Sequence, residues 1–219
     1  MNFLKFLILI QYMPPDAMNP TKIVSPVLTK VLREEAGFTD EEIELYISFL
    51  RVRILEKKEH LLMAGDTSND VAYINKGCLR RYIIDEHSQE TILNFSLEDY
   101  WTGDLESFIY QKPTIYYVQA LEKCELLLLS RENFLRANEE LPKFKKFHDS
   151  KIQRNHYYAL KRLSIAKSAT PEEKYISLMK NQPQLFQRVP LHYIASYLGI
   201  KPESLSRLRK RIVVKPHSS

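Results

Sequence analysis

The sequence predicts an α+β chain in three parts: an antiparallel β-roll or sandwich flanked by helices, a long helix, and a C-terminal helix-turn-helix. Three observations carry this reading. Between about residues 52 and 129 short apolar or alternating runs are separated by turn residues, the mark of antiparallel strands. From 142 to 166 the chain has helical spacing with no glycine and no internal proline. Charge then divides the chain: residues 1–142 hold 15 basic against 23 acidic residues, net −8, while 143–219 hold 17 against 4, net +13. A solvated lysine-rich helix accounts for part of that excess, but +13 in so short a stretch points to a nucleic-acid-binding module.

The first seventeen residues pair a short apolar stretch, Phe3–Ile10, with Pro14-Pro15 and then Met18. One lysine and no small-residue cleavage site make a weak signal peptide. Residues 1–17 are therefore expected to be a non-native or disordered extension whose deletion leaves folding unchanged. No run approaches the roughly 20 apolar residues of a membrane helix, so a cytoplasmic protein without membrane contact is expected. Pro20 to Phe49 reads as helical, with Thr39-Asp40-Glu41-Glu42 as a helix start and Ile43, Tyr46, Ile47 and Leu50 at helical spacing. Strands are expected at Val52–Leu55, Val71–Ile74, Cys78–Ile84, Thr91–Phe95, Tyr116–Leu121 and Glu125–Leu129. Cys78 and Cys124 form no CxxC pair and sit in apolar stretches, as reduced core thiols would.

Glu132–Asn138 is a short helix, and the long helix follows from Leu141-Pro142. Its seam of Ile152, His156, Ala159, Leu163 and Ala166 has coiled-coil spacing, which suits a dimer seam and an intramolecular core stripe equally. Thr170-Pro171-Glu172-Glu173 opens another helix by N-cap and proline-at-N1 logic, running to about Asn181.

Residues 188–212 meet the local demands of a helix-turn-helix. Ala195 is the small residue where the helices cross, Gly199 tolerates the left-handed turn, and Pro202 opens the second helix without losing a hydrogen bond. Ile194, Leu198, Ile200, Leu205 and Leu208 are spaced to face inward. The other face carries Glu203, Ser204, Ser206, Arg207, Arg209, Lys210 and Arg211. Arginine can fork onto guanine O6 and N7, glutamate can accept from cytosine N4, and lysine and serine can hold phosphates. Glu203 and Arg207 lie four apart, so an ion pair on a solvated helix is the competing reading.

Leu198-Gly199-Ile200-Lys201-Pro202-Glu203-Ser204-Leu205-Ser206-Arg207 resembles the recognition segment of the Crp/Fnr family, and Glu203-x-x-Ser206-Arg207 is similar to the pattern of its Fnr branch. Tyr73–Tyr82 resembles the glycine-turn hairpin of a cyclic-nucleotide-binding roll. The resemblance runs from about residue 25 to 213. It implies a double-stranded β-helix sensor over 18–140, a dimerisation helix over 141–168 and a winged helix-turn-helix over 169–219, working as a homodimer on a two-fold symmetric site.

The departures from the family matter equally. Its cyclic-AMP-binding members pair Gly-Glu with an Arg-Ser/Thr that holds the cyclic phosphate. Here the matching positions make a candidate effector pocket of Gly103, Asp104, Glu106, Thr114 and Ile115, with no arginine at the phosphate position and a branched apolar group beside it. Lys112 is a poor substitute because it lacks the planar fork. Trp101, Phe108, Tyr110, Tyr116 and Tyr117 are expected to fill the space by core packing or to suit a more apolar ligand. There is no cysteine before Cys78, so the cluster of the iron–sulfur oxygen sensors is missing.

A metal-dependent cupin-type enzyme needs clustered histidines with a carboxylate. The six histidines (His60, His87, His148, His156, His192, His217) contain no H-x-H, and each reads as a surface or packing residue. No nucleophilic triad or phosphate-binding glycine loop stands out. The expectation is a DNA-binding transcription regulator: not an enzyme, with no cofactor and no metal. Its partners would be duplex DNA and a second copy of itself, with RNA polymerase and an unknown small-molecule effector left open.

Overall fold

The computed structural model describes residues 24–214, leaving aside the side chains of 155, 158, 162, 163, 165–167, 213 and 214. The expectation for residues 1–17 lies outside the described residues. Ser25 opens α1 (Pro26–Glu34), its hydroxyl accepting from the Val27 amide at 3.1 Å, with Pro26 in the first turn where a missing N–H costs nothing. Thr39 caps α2 (Asp40–Ser48), and Glu42 returns a hydrogen bond to the Thr39 amide to complete a capping box. The single helical stretch expected over 20–49 is thus two helices. Gly37, at φ +66, turns the chain between them.

Eight strands follow: β1 (Leu50–Leu55), β2 (His60–Leu62), β3 (Asp70–Lys76), β4 (Leu79–Ile84), β5 (Glu90–Ser96), β6 (Trp101–Thr102), β7 (Tyr117–Ala120) and β8 (Cys124–Ser130), with α3 (Leu105–Tyr110) between β6 and β7. They form two antiparallel sheets, ordered β1-β8-β3-β6 and β2-β7-β4-β5. The run Leu126-Leu127-Leu128-Leu129 shows how the layers arise. Side chains alternate across a strand, so Leu126 and Leu128 point between the sheets with Leu55, Ile74, Leu79 and Val118, whereas Leu127 and Leu129 point outward. That outer face is buried under Leu28, Leu32, Ile43 and Tyr46 of α1 and α2, and Phe144 of the long helix. Burying such a leucine contributes about 1.5–3 kcal/mol, which explains an unbroken apolar strand. At the β3–β4 turn, Gly77 has φ +115, and a Cβ there would stand 2.5 Å from Cys124 Sγ. Neither the backbone angle nor the space admits another residue.

Helices α4 (Arg131–Glu140) and α5 (Pro142–Ser168) come next, then α6 (Pro171–Asn181), a short α7 (Leu185–Arg188), α8 (Leu191–Leu198) and α9 (Pro202–Val214). Ser130 caps α4, and Thr170 caps α6 with Glu173 in a second capping box. The first turns of α5 pack Phe144, Phe147 and His148 onto the roll. Beyond them His156 and Ala159 are exposed, as are Tyr157 (62%) and Leu160 (52%). Residues 169–214 are helix and turn, so the described residues include no wing hairpin. Short β2, β6, α3 and α7 were not foreseen from the sequence, each having too few residues to establish a period.

Candidate nucleic-acid interface and roll pocket

Helices α8 and α9 form the helix-turn-helix. Gly199 ends α8 in the left-handed conformation, φ 70 and ψ 34, and the Ile200 amide donates back to the Ala195 carbonyl at 3.0 Å. Ile194, Ala195, Leu198, Leu205 and Leu208 are buried together, with Ile200 packed against them. Tyr175, Leu178 and Leu185 close the far side of this small core. Fixing Leu205 and Leu208 inward leaves Glu203, Ser206, Arg207, Lys210 and Arg211 exposed, with Ser204 and Arg209 half-buried. Among the described residues Glu203 and Arg207 are not paired. The Arg207 guanidinium approaches the Ser204 hydroxyl at 3.4 Å, and Arg211 lies 3.7 Å from Glu172 of α6. The ion-pair reading of Glu203 and Arg207 therefore gains no support.

The residues named for the roll pocket divide. Gly103 (φ +136) leads into buried Asp104, which caps α3 by accepting from the Glu106 amide at 3.1 Å. Its other oxygen accepts from the buried Thr114 hydroxyl at 2.6 Å, and that hydroxyl accepts in turn from the Tyr116 amide at 3.1 Å. Gly103, Asp104 and Thr114 thus come together, while Glu106 is exposed on α3. Ile115, expected to crowd the phosphate position, is 67% exposed. The Thr114 hydroxyl is held inward by Asp104 and the Tyr116 amide, and its neighbour, in the bend before β7, turns out to solvent.

Trp101 packs edge-on against Tyr73 and His148, Phe108 edge-on against Phe134, and Tyr117 lies nearly parallel to Tyr82, while Tyr110 faces solvent. Tyr116 lies beside the pair of Asp104 and Thr114, its amide donating to the Thr114 hydroxyl. It lies under the guanidinium of Arg81, which is 5.1 Å from the ring centroid and donates to the Gly103 carbonyl at 3.4 Å.

Burial raises both cysteine thiols, to about 12 for Cys78 and about 11 for Cys124. Neither has the thiolate character of a nucleophile or metal ligand. Among the described residues no group of three or more His, Cys, Asp and Glu is placed to hold a metal, and no helix is long and apolar enough to cross a membrane.

Residues 52–140 match the family model of the cyclic nucleotide-binding domain. A stretch of 96 residues is 27% identical to the cAMP-activated global transcriptional regulator CRP of Salmonella typhimurium, covering 44% of this chain and 46% of that protein. The chain thus spans about half the length of the curated relatives it matches. Among solved structures, the c-di-GMP-responsive global regulator CLP of Xanthomonas campestris aligns with TM-score 0.64 at 15% identity, over 80% of this chain and 92% of that one. FixK2 of Bradyrhizobium japonicum aligns with TM-score 0.61 at 14% identity, over 78% and 89%. The chain shares the fold of these solved regulators.

Within this fold, three arginines that sequence reasoning passed over hold prominent positions. Arg81 faces the roll pocket from β4, on the same face as Leu79. Arg80, its neighbour, is only 3% exposed and faces the opposite way, onto the helix-turn-helix. Arg188, ending α7, bridges to Glu98 and Glu122 of the roll. The alternation of β4 would have separated Arg80 from Arg81. Nothing local marks Arg188, whose partners lie 90 and 66 residues away.

Proposed function

We propose that this protein is a sequence-specific DNA-binding transcription regulator of the Crp/Fnr type, acting in the cytoplasm as a homodimer on a two-fold symmetric site. The observation that carries this is the exposed face of α9. With Leu205 and Leu208 pinned in the core, Glu203, Ser206, Arg207, Lys210 and Arg211 stand on one surface, within the half of the chain whose net charge is +13. On this reading Arg207 and Glu203 address base edges in the major groove, while Ser204, Ser206, Arg209, Lys210 and Arg211 hold the phosphates and set the register. The part of α5 that carries the exposed His156, Tyr157, Ala159 and Leu160 is the surface on which the two copies meet. The chain is read as a binding protein and not an enzyme, and RNA polymerase is a further candidate partner. The roll is read as a sensor of an effector other than cyclic AMP, with Gly103, Asp104 and Thr114 in its wall.

Selection of bound duplexes from a random pool tests the reading. The expected product is an inverted repeat with half-sites about one helical turn apart, bound with an affinity that falls steeply with salt. Failure to enrich any sequence, with no salt-dependent binding to random duplex, would overturn it.

A further inference from the structure

The helix-turn-helix is docked on the roll through a shared apolar cluster, to which the roll gives Tyr82, Ile92, Phe95, Leu97 and Leu121, and through four further contacts on the hairpin of β4 and β5 and the loops beside it. Arg188 donates to both oxygens of Glu98, at 2.7 and 2.8 Å, and to Glu122, with its Nε at 3.4 Å from the second carboxylate. Glu98 is itself held by the Gly77 amide at 2.8 Å. Burial alone would raise the Glu98 carboxyl, yet Arg188 and the amides outweigh it and bring the group to about 2. Arg80 lies 4.0 Å from the Tyr82 ring centroid and 4.1 Å from that of Tyr193 on α8, its guanidinium also bonded to Gln119 and Glu90. Ser196 of α8 completes β5 as a further strand would, its hydroxyl accepting from the Ile92 amide at 3.1 Å and donating to the Glu90 carbonyl at 3.2 Å. Tyr197 packs on Phe95 at 5.4 Å.

Apolar contact is not directional, so polar bridges such as these fix the orientation of one part on the other where the domains of a chain would otherwise shift relative to one another. Reading two half-sites at once requires both recognition helices at a fixed separation, and a loosely held module loses rotational freedom on binding that a docked one has already given up. In the docked arrangement the reading face of α9 is exposed.

We infer that Arg188 is a positioning residue for DNA binding: its bridge to Glu98 and Glu122 holds the helix-turn-helix on the roll, so that α9 is presented by protein contacts alone. This rests on the proposed reading of α9 as a DNA-binding helix. Arg80, stacked on Tyr193 in the first turn of α8, acts in the same sense.

The test uses the full chain, with Arg188→Met, Arg188→Lys and, as a milder variant that leaves Glu98 in place, Glu122→Gln. One readout is amide hydrogen exchange at Ile92, whose protection depends on Ser196. The other is affinity for the selected duplex and for a duplex holding one half-site. Arg188→Met is expected to accelerate exchange at Ile92 and to lose about tenfold on the two-half-site duplex, with little change on the single half-site. Arg188→Lys, which keeps the charge without the fork, and Glu122→Gln are expected to fall between it and wild type. Unchanged exchange at Ile92, an equal loss on both duplexes, or tighter binding by Arg188→Met would each overturn the inference. If wild-type protein binds no duplex the proposed function fails, while exchange at Ile92 still decides whether Arg188 holds the two parts together.

Discussion

The Asp104 carboxylate accepts a hydrogen bond from the Thr114 hydroxyl at 2.6 Å, joining two buried side chains at the start of α3. The hydroxyl is committed to a carboxylate, and no arginine stands at the phosphate position. A cyclic phosphate entering here would meet an acidic group and lose its hydration without a forked counter-charge from the cassette. Arg81, on β4, is the cation beside the pocket, and it is engaged with the Gly103 carbonyl and the Tyr116 ring. Titration calorimetry with cyclic AMP is therefore expected to give no heat at millimolar nucleotide. A dissociation constant in the low micromolar range, with tighter DNA binding on saturation, would contradict this.

The exposed arginine and lysine of α9 separate base reading from phosphate holding. Arg207→Ala is expected to cost roughly 1–3 kcal/mol on the selected site and to relax preference at one G·C pair. Lys210→Ala should weaken selected and random duplexes alike and flatten the salt slope by about one. Identical behaviour of the two variants on both DNAs would remove the assignment of roles.

The long helix gives an oligomerisation test. With Phe144, Phe147 and His148 committed to its own roll, α5 has exposed His156, Tyr157, Ala159 and Leu160 further along. Sedimentation is expected to show a dimer at micromolar concentration, and Leu160→Glu should shift it toward monomer. A wild-type monomer bound singly to each duplex would refute the shared seam.

His148 links acidity to stability. It stacks on Phe144 at 4.2 Å, accepts from or donates to the Tyr46 hydroxyl at 3.1 Å, and is driven by burial down to about 3, with Lys151 adding to the effect. An unfolded chain protonates the same group near 6.5. Below that pH the unfolded state binds the extra proton and the folded state does not, so stability present above about 6.5 is lost as pH falls toward 3. His148→Phe removes that titration. Urea unfolding at pH 7 and pH 5 should show the difference between the two conditions shrink by about 2 kcal/mol in the variant. An unaltered difference would mean that His148 is not held neutral.

How much of this was legible depended on the range of the physics. Local chemistry showed plainly: the Thr39 and Thr170 caps, the left-handed turn at Gly199 and the inward set Ile194, Leu198, Leu205 and Leu208 all follow from residues within a few positions of one another. The six expected strands lie where alternation placed them, while β2 and β6 were too short to show a period. The pocket was legible only in part. Asp104 and Thr114 meet, but reading Ile115 as an inward group ignored which way its side chain turns relative to Thr114. Contacts such as Arg188 with Glu98 join distant segments and leave no mark in either neighbourhood.

One irregularity in β5 governs which part of the protein its side chains serve. Arg81 pairs with Asn94 and Tyr82 with Ile92, so Leu93 is an extra residue without a partner in the ladder. That one residue lets Ile92 and Phe95, three apart, both face the helix-turn-helix, while Asn94 pairs with Arg81 on the pocket side. The joint between sensor and reader is thus a matter of chain length as much as of side-chain identity. Related chains that gain or lose a single codon between Ile92 and Phe95 would trade their inward and outward residues along the rest of the strand, leaving composition untouched while uncoupling the two halves of the molecule.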